Sequence, residues 1–287
     1  MVVPGSLAWS LLLFAFAWRA TTALASKPFH TIIVGGSSGM GKAAALQVLR
    51  NGGRTMLVSR SIEKLERAKQ ELMNQVEQHA DILLVSLDCT DEQAVKEWAS
   101  QLEDDTWDGL VCTAAGRAPH GPIVDLDTAA SREMMETKLW TAYNTAKYVR
   151  PKLRAGGAVV FCAGILNRRP GLNCVPLAMA NGALEGLTRT AALEWGPDNI
   201  RVNCLSPGFC ATERFFHLTD ERREAMFANT AASLPLRKIG QPDDMGQAIY
   251  YLLTAPFVTG TVLDVDGGHG IRQYAVAQTD PLRQKVD

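Results

Sequence analysis

From about residue 30 onward, short apolar runs rich in β-branched residues alternate with longer amphipathic segments. The runs read as strands are Thr31–Val34, Thr55–Val58, Ile82–Leu87, Leu110–Thr113, Ala158–Cys162, Val202–Leu205 and Thr261–Val265. Helical periodicity marks Lys42–Arg50, Ile62–His79, Asp91–Gln101 and Leu184–Trp195 between them. Strands that are apolar at nearly every position are buried on both faces, which requires a parallel sheet covered by helices. Repeated strand–helix alternation with right-handed crossovers then predicts an α/β fold, a doubly wound parallel sheet of Rossmann type in a single domain. The longest irregular stretch runs from Pro207 to Pro242, with a short helix expected around Glu221–Asn229. A loop of that length in an α/β domain is read as a lid or binding loop.

Residues 1–25 break the pattern. Leu7–Trp18 is an apolar run too short to span a bilayer comfortably, and Ala23-Leu24-Ala25 fits the small-x-small pattern of signal-peptide cleavage. No Lys or Arg precedes the run. The expectation is a signal peptide or hydrophobic leader at 1–25 and a dinucleotide-binding domain at 26–287. Such a leader places the protein in the secretory pathway, in the endoplasmic reticulum lumen or secreted. The alternative is a membrane anchor formed by the uncleaved leader, the one membrane contact expected.

Composition narrows the partners. The 287 residues carry a formal net charge of −1 with 21% charged residues. No basic surplus favours nucleic acid, so the expected partner is a small-molecule substrate. The six cysteines form no CxxC pair and fit neither a zinc site nor a disulfide framework, so no metal is expected.

The first strand runs into Gly35-Gly36-Ser37-Ser38-Gly39-Met40-Gly41, and a helix follows. Glycines there permit a tight turn and close approach of backbone to a pyrophosphate, while the helix N-terminus offers free N–H groups and a positive dipole end. The spacing Gly35-x3-Gly39-x-Gly41 resembles that of the short-chain dehydrogenase/reductase (SDR) family. Further likenesses follow in family order: Asp88 after the third strand, Thr113-Ala114-Ala115-Gly116 after the fourth, Ser206-Pro207-Gly208 with Thr212, and Asp266-Gly267-Gly268. The resemblance spans about residues 29 to 271. It implies a nicotinamide cofactor held by Gly35, Ser37, Ser38, Gly39, Met40, Gly41, Asp88, Ala114, Gly116, Asn181, Pro207, Gly208 and Thr212. It also implies a homodimer or homotetramer built on helices around residues 130–153 and 178–195.

Cofactor choice depends on the end of the second strand, which reads Val58-Ser59-Arg60-Ser61. An acid there would repel a 2′-phosphate, whereas Arg60 presents a planar array of donors to one. NADP(H) is therefore expected.

The same resemblance exposes a gap. SDR enzymes work through Tyr-x-x-x-Lys, an upstream Ser and an Asn in the preceding helix. In register with Ala183–Arg189, Leu177 stands at the Tyr, Asn181 at the Lys, Gly164 at the Ser and Lys138 at the Asn. Leu cannot exchange a proton, so the usual relay is missing, while Asn181 can still hydrogen-bond a ribose. Tyr143-x-x-x-Lys147, with Ser131 upstream, matches the motif but precedes the fifth strand and is rejected as the catalytic pair. Replacement chemistry is sought in Lys138, otherwise a solvated helix residue, and in His120, otherwise an incidental loop residue. Asn167, Arg168 and Arg169 are candidates for an anionic group, otherwise ordinary exposed loop charge. Phe209, Phe215, Phe216, Met226 and Phe227 suit a lipophilic ligand or simply pack the long loop. Two functions remain open: an NADP(H)-dependent oxidoreductase of a lipophilic small molecule with a non-standard active site, or a non-catalytic NADP(H)-binding scaffold or sensor.

Overall fold

In β1 (His30–Val34), Ile32 and Val34 enter one core layer and Ile33 the other. The same alternation sends Leu110 and Cys112 of β4 (Trp107–Cys112) to the first layer and Val111 to the second. The computed structural model describes residues 29–76 and 80–271. The leader at 1–25, His79 and the tail from 272 lie outside the described residues, and the second helix, expected to reach His79, already ends at Met73 with Asn74 as its C-cap.

The remaining strands are β2 (Arg54–Ser59), β3 (Ile82–Ser86), β5 (Leu153–Cys162), β6 (Arg201–Pro207) and β7 (Val262–Val265). All seven are parallel, in the order β3-β2-β1-β4-β5-β6-β7. The order reverses between β1 and β4, which opens a crevice at the carboxyl ends of these strands.

Helices cover both faces. One layer is closed by α3 (Glu92–Ser100), α5 (Thr141–Val149) and α6 (Val175–Trp195) through Val95, Ala142, Val149, Leu184 and Ala191. The other is closed by α1 (Gly39–Arg50), α2 (Ile62–Met73) and α8 (Pro242–Thr254) through Ala44, Leu65, Leu72, Ile249 and Leu252. Cys112, Cys162 and Cys204 lie buried in strands, and the described cysteines are all free.

Further boundaries differ from the expectation for physical reasons. β5 begins at Leu153 rather than Ala158, because Leu153 pairs with Trp107 ahead of a register shift. α6 begins at Val175 rather than Leu184, with Pro176 in its first turn; its first half is rich in small residues and carries little amphipathic signal. The long loop holds α7 (Asp220–Ser233), started by Thr219 Oγ1, which accepts from Arg222 N. Between α4 (Thr128–Met135) and α5, residues Glu136–Trp140 form a π-helical turn. Such turns re-aim side chains within a helix and recur at functional sites.

Candidate active site

Gly35, Ser37, Ser38, Gly39, Met40 and Gly41 form the turn from β1 into α1. Gly35 has φ +86°, and a Cβ on it would lie 2.7 Å from Ala114 N, so this crossing over β4 admits no side chain. Ser38 caps α1 with extended backbone and no side-chain hydrogen bond. Gly39 N instead donates to Glu213 Oε2 at 2.9 Å, and Glu213 Oε1 accepts from Lys42 Nζ at 3.0 Å. Lys42 also reaches Glu71 at 2.6 Å. Burial pushes the Glu213 carboxyl up, but these donors outweigh it and hold the group below the usual carboxylate range. The helix N-terminus expected to receive a pyrophosphate thus already holds an anion.

Arg60 follows β2 with its side chain exposed, and Ser86 Oγ fixes its carbonyl at 3.0 Å. Asp88 accepts from Thr90 N at 3.0 Å and Thr90 Oγ1 at 2.8 Å. Burial acts to raise the Asp88 carboxyl, but the Thr90 hydrogen bonds and the Arg60 charge bring it below its usual value. Both residues follow the carboxyl ends of their strands, Arg60 after β2 and Asp88 after β3.

The ends of β4 and β5 carry the chemistry-bearing groups. Ala114 and Gly116 follow β4, and Gly116 N donates to Thr137 Oγ1 at 3.1 Å. The next residue, Lys138, is only 7% exposed, and its Nζ donates to Ala163 O at 2.8 Å. The solvated-helix expectation for Lys138 is corrected: the π-helical turn carries the side chain inward. Burial, reinforced by the Arg214 charge, pushes its amine down to about 8.

Beyond Ala163, Gly164 has φ +153°, and a Cβ there would lie 2.9 Å from Asn181 Nδ2. Asn181 is 1% exposed, and its Oδ1 has no hydrogen-bond partner among the described residues. Leu177 sits half-buried in the first turn of α6. Pro207 ends β6, Gly208 follows it, and the Thr212 methyl approaches Gly39. The expected cofactor residues therefore all stand along one carboxyl edge, with Lys138, Gly164 and Asn181 at its centre.

Other candidates fall elsewhere. Tyr143 is partly exposed against Trp140 on α5, and Lys147 pairs with Glu92 at 2.8 Å, away from that edge. Ser131 Oγ donates to Asp127 O. His120 Nδ1 lies 3.6 Å from Cys174 Sγ in the loops above β4 and β5. Arg168 is not available to an external anion: it binds Glu185 at 2.9 Å, Asp264 through both carboxylate oxygens, and Ser206 Oγ at 2.8 Å. Phe209, Phe215 and Phe227 form a cluster with centroids 5.0 to 5.7 Å apart, while Phe216 is exposed.

Two residues escaped the sequence reading. Glu213 and Arg214 follow Thr212 in the turn Glu213–Phe215, and Arg214 Nη2 donates to Gly116 O at 3.1 Å. Their signal was an acid–base doublet directly after a cofactor-motif threonine, inside a loop already expected to close on the site.

A family model described as enoyl-(acyl carrier protein) reductase matches residues 34–270. Peroxisomal 2,4-dienoyl-CoA reductase of Danio rerio is 30% identical over 82% of this chain and 79% of its own. The chain belongs to the short-chain dehydrogenase/reductase family. Among solved SDR structures, a small-chain dehydrogenase in complex with NADPH is 28% identical with a TM-score of 0.71, covering 86% of this chain and 100% of that one. A short-chain oxidoreductase from Pseudomonas aeruginosa PAO1 containing an atypical catalytic center, in its apo form, is 25% identical with a TM-score of 0.74, covering 86% and 98%.

Proposed function

We propose that this protein is an NADP(H)-dependent oxidoreductase of a lipophilic small molecule, in which Lys138 replaces the family's tyrosine as proton donor. The observation that carries this reading is a buried ammonium, its affinity for the proton weakened, at the centre of an SDR carboxyl edge. The residues present fit the cofactor. The α1 turn admits close backbone approach at Gly35, and Arg60 forms no ion pair among the described residues. The unpartnered Asn181 Oδ1 is a ready acceptor for a ribose hydroxyl. Relatives solved with NADPH and with an atypical catalytic center support the same reading.

When bound, the cofactor supplies the hydrogen and electron pair that reduce the substrate carbon. Negative charge then develops on the substrate oxygen. The Lys138 ammonium stabilises that charge and gives up one proton to it, and the neutral amine regains a proton from water. Leu177 and Gly164 bear no exchangeable side-chain proton, so Lys138 carries this step alone. Apolar side chains lie exposed on loops leaving four adjacent strands: Val124 after β4, Leu172 after β5, Phe216 and Leu236 after β6, and Ile271 after β7. That rim suits a lipophilic ligand.

Calorimetric titration tests the cofactor half of the reading. NADPH is expected to bind roughly tenfold or more tightly than NADH, and Arg60→Ala to remove that preference, since a charge-assisted phosphate contact is lost. Equal affinities in the unmutated protein contradict it. Glu213→Gln should tighten NADPH by about tenfold, because a carboxylate no longer competes with the pyrophosphate for the α1 N-terminus. Unchanged affinity in that variant would mean that Glu213 and the pyrophosphate do not share the site.

A second reading, a non-catalytic NADP(H)-binding scaffold or sensor, is favoured by Leu177 and Gly164. NADPH consumption across a panel of lipophilic ketones, enones and oxo acids separates the two. The partly exposed Trp140, Tyr143, Met179 and Leu193 on the helices at 130–153 and 178–195 support a homodimer or homotetramer as part of the same proposal.

A further inference from the structure

Lys138 and Arg214 are two cations that reach the carboxyl edge from different elements, and neither pairs with an acid among the described residues. Lys138 comes from the π-helical turn between α4 and α5, and Arg214 from the turn after β6. Their anchors are joined: Arg214 donates to Gly116 O, and Gly116 N donates to Thr137, the neighbour of Lys138. Both charges bear on the thiol of Cys162, the last residue of β5, and the Arg214 charge bears on Lys138 itself.

Buried Arg201 donates only to the carbonyls of Leu252 and Leu253, but several other partly buried cations among the described residues are paired with acids. Lys42 has Glu71 and Glu213, Arg154 has Asp108, and Arg168 has Glu185 and Asp264. Among the described residues, Lys138 and Arg214 form no ion pair; their side chains donate to backbone carbonyls. Arg214 is exposed, with its Nη2 held on Gly116 O. The Lys138 charge is withdrawn from water while Arg214 stands exposed, and an anion received at Arg214 relieves the repulsion between the two.

We propose that Arg214, backed by Lys138, is the receptor for a carboxylate on the substrate, so that the substrate is a lipophilic acid bearing a reducible group. This rests on the reading above, in which Lys138 faces the reacting oxygen; Arg214 then takes the carboxylate. A guanidinium fork matches a carboxylate in two parallel hydrogen bonds. Directly beside Arg214, Phe215 stacks on Phe209 at 5.0 Å and meets Phe227 edge-on at 5.6 Å. An anionic head at Arg214 and an apolar body along these rings describe an amphipathic acid rather than a small hydrophilic one.

The test compares decanoate with decanamide, ligands of one shape that differ in charge. Each is titrated calorimetrically into the full chain at pH 7, both free and loaded with NADP+. Decanoate is expected to bind at least about tenfold more tightly than decanamide. Arg214→Gln should abolish the difference by weakening decanoate alone, and Arg214→Lys should restore part of it. Equal binding of the two ligands to the unmutated protein overturns the proposal, as does a preference that survives Arg214→Gln in a folded variant. Failure of NADP+ to load would instead count against the oxidoreductase reading, and the titrations of the free protein still decide whether Arg214 receives a carboxylate.

Discussion

A Lys138→Met variant is expected to lose about 10²- to 10⁴-fold in reduction rate while gaining stability at pH 7. The stability half follows from proton linkage. Burial lowers the Lys138 amine from 10.5 to about 8, so the unfolded chain binds the proton more tightly than the folded one. Below pH 8 the folded state carries the full penalty, roughly 3 kcal/mol. Between pH 8 and 10.5 the unfolded state holds the extra proton, so stability rises with pH through that window and the penalty vanishes above it. Met removes the charge at similar volume but leaves Ala163 O without its donor, which costs about 1–3 kcal/mol. The net gain at pH 7 is therefore about 1 kcal/mol, and it should reverse near pH 10. Denaturant unfolding at both pH values, beside NADPH oxidation assays, checks this. A variant less stable at pH 7 with undiminished turnover would remove Lys138 from the mechanism.

Arg168→Met should destabilise the fold by about 3 kcal/mol or more. The Glu185 side chain is 5% exposed on α6, and after the substitution it keeps only Arg189 at 3.7 Å. Asp264 on β7 and Ser206 on β6 lose the same guanidinium, so the link between α6 and the sheet edge goes with it. Adding Glu185→Leu to Arg168→Met should recover much of the loss, because the stranded charge rather than the missing contact dominates. Denaturant midpoints of the two single variants and the double variant measure this coupling. Additive losses would show that the pair does not act as a unit.

These residues also show what was legible in the chain. Ile32, Ile33 and Val34 announce a strand buried on both faces, and the glycine turn after them marks where a dinucleotide sits, because both signals are local. Lys138 was legible as a residue type but not as a buried one. Its inward path depends on the π-helical turn at Glu136–Trp140, which leaves no periodic trace. Arg168 looked like exposed loop charge because its acids lie 17 and 96 residues away in sequence. Gly164 read as a missing serine. Its φ of +153° shows that a side chain there would also strain the backbone and press on Asn181, so restoring serine alone is not a simple repair. The reach of Glu213 to Gly39 and of Arg214 to Gly116 is set by how the long loop folds back over the sheet, which composition does not encode.

In the proposed reaction a lysine amine, not a tyrosine, delivers the proton. Its most direct test is the pH dependence of single-turnover NADPH oxidation, with the best substrate from the lipophilic panel. With Lys138 as donor, the rate should hold level at low pH and fall as pH rises through about 8, where the ammonium is lost, and Lys138→Met should flatten that limb. A rate that stays level to well above pH 8, or a limb that persists unchanged in Lys138→Met, would contradict the account.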